Sequence, residues 1–366
     1  MLHSMMLLNK CASYDVRMWE RFEAMGLPPE AFVEDANAVW DKLEITERNK
    51  SIMSKALSSG WADRELDACG RLGTRVITCR DDDYPRSLLA VGNAPILLYV
   101  RGKILSECTK TIAVVGTRRC GSYGGRIAAE IGRRAAGAGW NVVSGGARGI
   151  DGASHTGCAE AGGVTAAVLG TGVDVVYPSE HRELFGRIME RGALYSEYPL
   201  GDKGEPWHFP KRNRIIAGLA SRVVIVEAPY KSGAMITASL AADCGREVWA
   251  VPGRIDDARS EGTNRLILDG AMPLVSLDMF FEVRSKYAEK SLFGDGDEPA
   301  GRPEPRELPP DEKKILSILS IHGGSTIDNL ADEAKMSAAE VFKLISVMSV
   351  SGLVYSSGPG RYSLND

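Results

Sequence analysis

Six apolar runs alternate with helical segments from residue 111 onward, and this alternation constrains the fold more than any other feature. The runs are TIAVVG, WNVVSGG, TAAVLG, ALYSEY, RVVIVEA and EVWAVPG, and segments such as GGRIAAEIGRRAAGAG and EHRELFGRIMERG lie between them. Near-continuous apolar strands separated by helices are typical of a parallel sheet that is covered on both faces. The sequence therefore predicts an α/β protein with a doubly wound parallel sheet at its centre.

Four regions follow one another along the 366-residue chain. Residues 1–72 carry apolar side chains at helical spacing and predict a small helical, SAM-like module, and residues 73–285 contain the predicted sheet. Residues 286–308 are rich in Gly, Pro and charge without apolar periodicity, which predicts a flexible linker. Residues 309–366 predict three helices and a terminal hairpin around a Gly-Pro-Gly turn, which together indicate a winged helix-turn-helix.

Composition limits how such a chain could bind a polyanion. The formal net charge of -4 excludes a globally basic nucleic-acid coat protein, so any polyanion must meet a local cluster of cations. Residues 307–366 hold eight acidic and five basic residues, the opposite of the balance expected for a reader of duplex DNA. The seven scattered cysteines form no C-x-x-C pair, and no stretch of 18 apolar residues occurs. We therefore expect a cytoplasmic protein without a metal site or a membrane span.

The loops at the carboxyl ends of the predicted strands concentrate cations and glycines. Ligands of parallel sheets bind at this edge, where backbone N–H groups of the following helices point outward. The candidate phosphate ligands are Arg118, Arg119, Arg148, Lys211, Arg212 and Arg214. The loops that could cradle phosphates contain Gly116, Gly121, Ser144, Gly145, Gly149, Ser232 and Gly233.

The segment FPKRNR places an aromatic ring directly before three of these cations. Phe209 could be a stacking platform for an unpaired base or a core ring under the loop, and the sequence leaves both interpretations open. Single charges at a protein surface are usually only solvated, but six on one edge favour a chain of phosphates. The loop GTRRCG matches neither G-x-G-x-x-G nor G-x-x-x-x-G-K-[ST], so the specific signals for one bound nucleotide are missing.

Several of these segments resemble one protein family. The stretches IAVVGTRRCGSYG, VVSGGARGIDGASHTG, AVLGTGVDVVYP, FPKRNRIIAGLASRVVIVEA and EGTNRLILDGA, within residues 83–275, are similar to the DNA-processing protein A family, also called Smf. The resemblance implies an extended Rossmann-like domain that binds single-stranded DNA without sequence preference. It further implies a homodimer that hands incoming DNA to the RecA recombinase in natural transformation. The family's DNA contacts would fall on Arg118 and on the FPKRNR segment.

Two departures from the family pattern and one apolar run complete the comparison. Gly146 stands where the family more often has a bulkier apolar residue, and Ser154 stands where Ala is usual, which raises a question about local helix packing. The segment GTNRLILDGA carries Leu266, Ile267 and Leu268 in a row, more apolar surface than one helix face needs against a sheet. We therefore expect Leu266 and Ile267 at a dimer interface.

Catalysis is the alternative that the sequence disfavours. The polar candidates at strand ends are Asp151, His155, Glu227 and Ser232, and no pair among them has a spacing that compels acid–base or nucleophilic chemistry. A nucleotide phosphoribohydrolase of the Lonely Guy type is the runner-up, but such enzymes carry P-G-G-x-G-T-x-x-E where this chain has KSGAMITAS, without the glutamate. The sequence predicts a binding protein that needs no cofactor.

Overall fold

A computed structural model of the protein describes residues 1–12, 17–89, 91–105, 110–282, 309–322, 324–350, 353–358 and 361–364. The chain divides into two compact units, Met1–Lys290 and Ser291–Asp366. The predicted linker, residues 286–308, lies outside the described residues.

A nine-stranded sheet forms the centre of the first unit. Its strands are β1 (Thr74–Thr78), β2 (Leu97–Gly102), β3 (Thr111–Val115), β4 (Asn141–Ser144), β5 (Thr165–Val168), β6 (Ala193–Ser196), β7 (Arg222–Ile225), β8 (Glu247–Ala250) and β9 (Met272–Pro273). Their order is β1-β2-β6-β5-β4-β3-β7-β8-β9. The strands from β3 to β9 are parallel, whereas β1 and β2 are antiparallel additions at one edge. The predicted parallel sheet is confirmed, because the six apolar runs form β3 to β8.

Helices cover both faces of this sheet. The helices of the first unit are α1 (Leu2–Ala12), α2 (Arg17–Ala24), α3 (Ala31–Glu34), α4 (Ala36–Lys42), α5 (Glu47–Ser58), α6 (Trp61–Arg71), α7 (Arg86–Leu89), α8 (Ser122–Gly137), α9 (Ile150–Glu160), α10 (Arg182–Arg191), α11 (His208–Leu219), α12 (Gly233–Asp243), α13 (Glu261–Leu268) and α14 (Leu277–Glu282), with a 3₁₀ turn at Ser179–His181. Successive residues of β3 point to opposite faces. Ala113 packs with α11 and α12, whereas Ile112 and Val114 pack with α8 and α9.

The six N-terminal helices build a core of their own and also contact the sheet. Phe22, Phe32 and Trp40 pack as neighbouring rings, with centroids 6.0 and 5.8 Å apart. Met6 of α1 is buried together with Leu97 and Tyr99 of β2. The helix α1 was not among the elements predicted from the sequence, and its buried apolar residues attach the N-terminal module to the edge of the sheet.

The second unit contains three helices and a small antiparallel sheet. Its elements are α15 (Pro310–His322), β10 (Ser325–Thr326), α16 (Ile327–Ala334), α17 (Ala338–Val350), β11 (Val354–Gly358) and β12 (Arg361–Leu364), with strand order β10-β12-β11. Before α17, the backbone N–H and the hydroxyl of Ser337 donate to Glu340 at 2.9 and 2.7 Å, and the Glu340 N–H donates back to the hydroxyl oxygen at 3.3 Å. These bonds form a capping box, whose sequence signature is a Ser followed three residues later by a Glu. The assignment of this unit as a winged helix stays a prediction.

The described residues were searched for metal-binding clusters, membrane-spanning helices and disulfides. No group of three or more His, Cys, Asp or Glu side chains in these ranges is arranged to hold a metal ion. No described helix combines the length and the apolar character that crossing a membrane requires. The six described cysteines are free thiols.

Candidate nucleic-acid interface

An open cavity of about 580 Å³ lies at the carboxyl ends of β3 and β7. The chain runs outward in one direction from β3 through β4 to β6 and in the other from β7 to β9, so the cavity occupies the point where the strand order reverses. Open α/β sheets bind their ligands in the crevice at this point. Loops after β3, β4, β5, β6 and β7 and the first turns of α9, α11 and α12 line it, including Gly116, Thr117, Arg118, Ala147, Asp151, Tyr177, Lys203, Gly204, Phe209, Asn213, Ser232 and Gly233.

The cation-rich segment forms the beginning of α11. This helix begins at His208, so the FPKRNR residues occupy its first two turns. Pro210 is tolerated there because the first N–H groups of a helix have no intrahelical partner. Successive side chains of a helix diverge by about 100°. Lys211, Arg212 and Arg214 therefore do not converge on one ligand, which differs from the prediction.

Arg212 points into the protein. Its side chain is buried, and its guanidinium donates to the carbonyl of Gly145 at 2.7 Å and to the carbonyl of Val168. These carbonyls follow or end β4 and β5, and the carboxylate of Asp151 lies beside the same guanidinium. Burial lowers the pKa of Arg212 to about 10, which still leaves it charged at neutral pH. Arg212 thus joins two strand ends, in place of the phosphate contact predicted for it.

Arg214 and Lys211 share one buried carboxylate. The guanidinium of Arg214 donates to the two oxygens of Glu197 at 3.1 and 2.7 Å, and the Lys211 Nζ lies 3.7 Å from Glu197 Oε2. Burial alone would raise the pKa of Glu197, but the two cations hold it below its ordinary value. Both cations are therefore turned toward an internal carboxylate whose single charge balances only one of them, and their contact with phosphates stays a prediction.

Three of the predicted arginines are exposed. Arg118 and Arg119 form no ion pair within the described part of the chain, and the guanidinium carbon of Arg118 lies 5.3 Å from the ring centroid of Phe209. Arg148 instead donates through two nitrogens to the carboxylate of Glu180, with Nη2 3.0 Å from Oε2. These hydrogen bonds lower the pKa of Glu180 to about 2. Arg118 and Arg119 are open to an anion, whereas Arg148 is already paired.

Phe209 combines features of both interpretations that the sequence left open. The ring is half-buried, and a Cβ at Gly170 would lie 2.9 Å from its Cδ1, so one side packs against backbone. It also lines the cavity, with Arg118 over it and the ring centroid of Tyr177 5.5 Å away. Phe209 is therefore an aromatic wall of the cavity that is supported from beneath.

Sequence reasoning missed two residues of this cavity. Tyr177, which is 48% exposed, lies in the stretch VVYP within the loop that follows β5. Lys203 is exposed and lies in the stretch GDKG after β6. Both lie in strand-to-helix loops at the carboxyl ends of the parallel strands, where the sequence predicted the binding site. A search of every such loop for aromatic and basic residues could therefore have found them.

Two of the predicted phosphate cradles are occupied by the protein's own carboxylates. The N–H groups of Gly121 and Gly124 at the start of α8 donate to Glu227 at 2.8 and 3.0 Å. After β4, the Gly145 N–H donates to Asp151 at 3.0 Å. Amides and the helix dipole at these places already bind a negative charge, so neither loop is open to a phosphate.

Three other cradle residues serve packing. The Ser144 hydroxyl donates to the Val114 carbonyl at 2.6 Å and is buried. A Cβ at Gly116 would lie 2.6 Å from Ile150 Cγ1, and Gly149 has a φ of +75°, which favours glycine. These residues allow the loops after β3 and β4 to approach each other.

The start of α12 differs from the starts of α8 and α9. Ser232 precedes the helix, and its Oγ is buried without a hydrogen-bond partner among the described residues. Gly233 is exposed and lines the cavity beside it. A helix N-terminus with unoccupied amides attracts an anion. Ser232 and Gly233 therefore form a predicted cradle that faces the cavity without an internal carboxylate.

Comparison with known proteins now places the chain in a family. The sequence model of the family described as DNA recombination-mediator protein A matches residues 75–284, more than half of the chain. This protein belongs to the DNA recombination-mediator protein A family. A DNA processing protein DprA from Mycobacterium tuberculosis is 34% identical to it over 302 residues, which cover 79% of this chain and 77% of that protein.

Two solved structures resemble this member of the DNA recombination-mediator protein A family. The X-ray structure of DNA processing protein A from Streptococcus pneumoniae matches with a TM-score of 0.64 and 30% identity, over 77% of this chain and 98% of that one. A structure of the Helicobacter pylori protein, described by its single-stranded DNA binding mode, matches with a TM-score of 0.52 and 27% identity, over 57% of this chain and 94% of that one. The predicted family is confirmed.

The two departures from the family pattern are accommodated in this recombination-mediator protein. Gly146 has a φ of +64°, which favours glycine, and a Cβ there would lie 3.1 Å from the ring of Phe185. The buried hydroxyl of Ser154 donates to the Asp151 carbonyl at 2.8 Å. Both residues thus have a local structural role in or next to α9.

The apolar run that was predicted at a dimer interface becomes more exposed toward the end of α13. Leu266 is half-buried and packs against the core, and Ile267 is also half-buried. Leu268 is 77% exposed, and Met272 and Val275 beyond it are 46% and 70% exposed. Exposed apolar surface therefore lies next to β9, the outermost parallel strand.

Proposed function

We propose that this protein binds single-stranded DNA in the cavity between β3 and β7, protects it, and loads the RecA recombinase onto it in transformation and DNA recombination. One observation carries the proposal. The cavity combines cations that form no ion pair among the described residues (Arg118 and Lys203), aromatic rings (Tyr177 and Phe209) and the open N-terminus of α12. Cations and helix amides suit phosphates, and rings suit unpaired bases.

The aromatic residues favour a single strand over a duplex. Stacking on a side chain requires a base that is not already stacked and paired in a helix, and it contributes about 1 to 3 kcal/mol per base without sequence preference. Tyr177 is 48% exposed at the cavity, so its ring is accessible to such a base. The relative from Helicobacter pylori, whose structure is described by its single-stranded DNA binding mode, supports the same ligand for this chain.

We infer that the protein acts by binding and not by catalysis. His155 is fully buried, its Nδ1 lies 2.6 Å from the Thr165 hydroxyl, and burial lowers its pKa to about 3. The carboxylates of Asp151 and Glu227 accept backbone N–H groups. These groups are therefore committed to holding loops together, and the Lonely Guy type of phosphoribohydrolase is not favoured.

We also propose a cytoplasmic homodimer. The exposed apolar residues Leu268, Met272 and Val275 follow closely in the chain at the edge strand of the sheet, and a second copy packed there would remove them from water. This shifts the centre of the interface from the predicted Leu266 and Ile267 toward the end of α13. A recombinase partner places the protein in the same compartment as chromosomal DNA.

A competition experiment tests the proposed ligand. Fluorescently labelled single-stranded DNA is bound at low salt and then displaced with unlabelled single-stranded DNA, duplex DNA or a nucleoside monophosphate. We expect efficient displacement by the single strand alone, because only it offers both consecutive phosphates and unstacked bases. Equal displacement by duplex DNA, or displacement by micromolar nucleoside monophosphate, would refute the proposal.

A further inference from the structure

The N-terminal module reaches a segment that forms one wall of the cavity. Residues 197–204 follow β6, and Lys203 and Gly204 at their end line the cavity. Gly204 is packed so closely that a Cβ there would lie 2.7 Å from the Gly170 carbonyl oxygen and 3.4 Å from the ring of Phe209. A shift of this segment would therefore move both a cation and the support of the aromatic wall.

Two hydrogen bonds, one buried and one part-buried, join the N-terminal helices to this segment. The Asn9 side chain of α1 donates to the Glu197 carbonyl at 2.8 Å. The Glu65 carboxylate of α6 accepts the Leu200 N–H at 2.7 Å. Asn9 and Glu65 are 5% and 8% exposed, so water does not readily replace either bond. The partners are 188 and 135 residues apart in sequence.

Glu65 is held at this position by further polar groups. Burial raises the pKa of its carboxyl group, and the Leu200 N–H, the Lys10 ammonium and the Tyr99 hydroxyl oppose that shift. Lys10 is also attracted by Asp202 of the same segment. Such a buried carboxylate is costly unless its partners remain in place, so the cluster links the position of α6 to that of the segment.

We propose that Glu65 is a positioning residue for the cavity: by holding the Leu200 N–H it fixes residues 197–204, so that Lys203 meets the DNA. This inference rests on the proposed function of the cavity. It gives the N-terminal module a role in DNA binding although its helices are not among the elements that line the cavity. Glu65 acts through Lys203 and does not contact the ligand itself.

A double-mutant cycle tests this coupling. Glu65→Ala is expected to weaken binding of single-stranded DNA by about 3- to 10-fold, as is Lys203→Ala. In the Lys203→Ala background, Glu65→Ala is expected to add less than about twofold, because residues that act through one contact are not additive. Glu65→Gln keeps an oxygen that can accept the Leu200 N–H, so it should bind within about twofold of the parent. Fully additive losses would overturn the proposal.

Hydrogen exchange of peptides covering residues 198–206 supplies a readout without DNA. Exchange should rise in Glu65→Ala, stay at the parent level in Glu65→Gln, and stay at that level in the control Glu34→Ala, which changes an exposed carboxylate of the same module. If Glu65→Ala fails to fold, Asn9→Ala breaks the second bond to the segment and should also raise exchange. Unchanged exchange in the folded variant contradicts the positioning role.

The same set of variants separates failure of this inference from failure of the proposed function. If Arg118→Ala and Lys203→Ala weaken binding but Glu65→Ala does not, only the positioning role is lost. If Arg118→Ala and Lys203→Ala both bind like the parent, the cavity is not the DNA site, and the role of Glu65 in binding falls with it.

Discussion

The inner cations Arg212 and Arg214 differ in role from the outer cations Arg118 and Lys203. Of these four, Arg118, Lys203 and Arg212 line the cavity. Arg212 and Arg214 lie on α11. Arg212 donates to strand-end carbonyls, and Arg214 pairs with Glu197. Arg118 and Lys203 lie on loops, and within the described part of the chain they form no ion pair. A basic cluster in the sequence therefore does not by itself mark a phosphate site, because internal carboxylates and carbonyls decide which cations remain available.

The helix N-termini repeat the same contrast. Backbone amides at the start of α8 bind the carboxylate of Glu227, and an amide of the loop before α9 binds that of Asp151. The start of α12 instead faces the cavity, and the Oγ of Ser232 has no hydrogen-bond partner among the described residues. Three strand-to-helix loops with similar glycine content thus differ in their capacity for an anion. The protein's own carboxylates confine the proposed phosphate site to one side of the switch point.

The largest expected effect concerns the inner cations. Arg214→Ala leaves Glu197 buried without its main partner, so the free energy of unfolding should fall by about 3 to 5 kcal/mol, as should that of Arg212→Ala. Urea unfolding measures this change. Arg119→Ala, at an exposed site, is the control and should stay within about 0.5 kcal/mol of the parent. An Arg214→Ala protein of parental stability that has lost DNA affinity would place Arg214 in the outer set instead.

The next effect concerns the open helix N-terminus. Ser232→Asp puts a carboxylate at the start of α12, as Asp151 and Glu227 do at the other two sites, and should weaken binding of single-stranded DNA by about tenfold. Stability should not fall, because Asp is a favourable N-cap residue. Fluorescence anisotropy at fixed salt measures the affinity, and the neutral Ser232→Asn is the matched control. Equal affinities of the Asp and Asn variants would mean that no phosphate binds there.

The smallest effect concerns the paired arginine at the rim. Glu180→Gln removes the charge that neutralises Arg148, so affinity for single-stranded DNA should rise by about two- to threefold at low salt and return toward the parent value at high salt. The double variant Glu180→Gln with Arg148→Ala should lose this gain. A gain that persists in the double variant would mean that it arises from the loss of a repulsive carboxylate alone.

The repetitive parts of the fold could be predicted from the sequence. The six apolar strands follow from local composition, and the capping box at Ser337 follows from a spacing of three residues. Such features depend on neighbours in the chain. The short strand β9, with only two residues, and the helix α1 gave no comparable signal.

The candidate site was only partly predictable from the sequence. Which of its cations and amides remain available to a ligand depends on contacts between residues that are far apart in the chain. Glu227 lies 106 residues from Gly121, whose N–H it binds, and Arg212 lies 67 residues from the Gly145 carbonyl. Sequence spacing cannot indicate such contacts. The side-chain directions within the FPKRNR segment were also hidden, because only the packing of α11 against the sheet determines that Arg212 and Arg214 turn inward.

The salt dependence of binding tests the central claim most directly, namely that the outer cations and not the inner ones hold the DNA phosphates. Log affinity is measured against log salt for the parent, Arg118→Ala, Lys203→Ala and the control Arg254→Ala, whose exposed guanidinium is paired with Asp256 outside the cavity. Each lost phosphate contact should make the slope shallower by about 0.7 for a single strand. The account predicts this change in Arg118→Ala and Lys203→Ala and a parental slope in Arg254→Ala. Parental slopes and affinities in both cavity variants would contradict it.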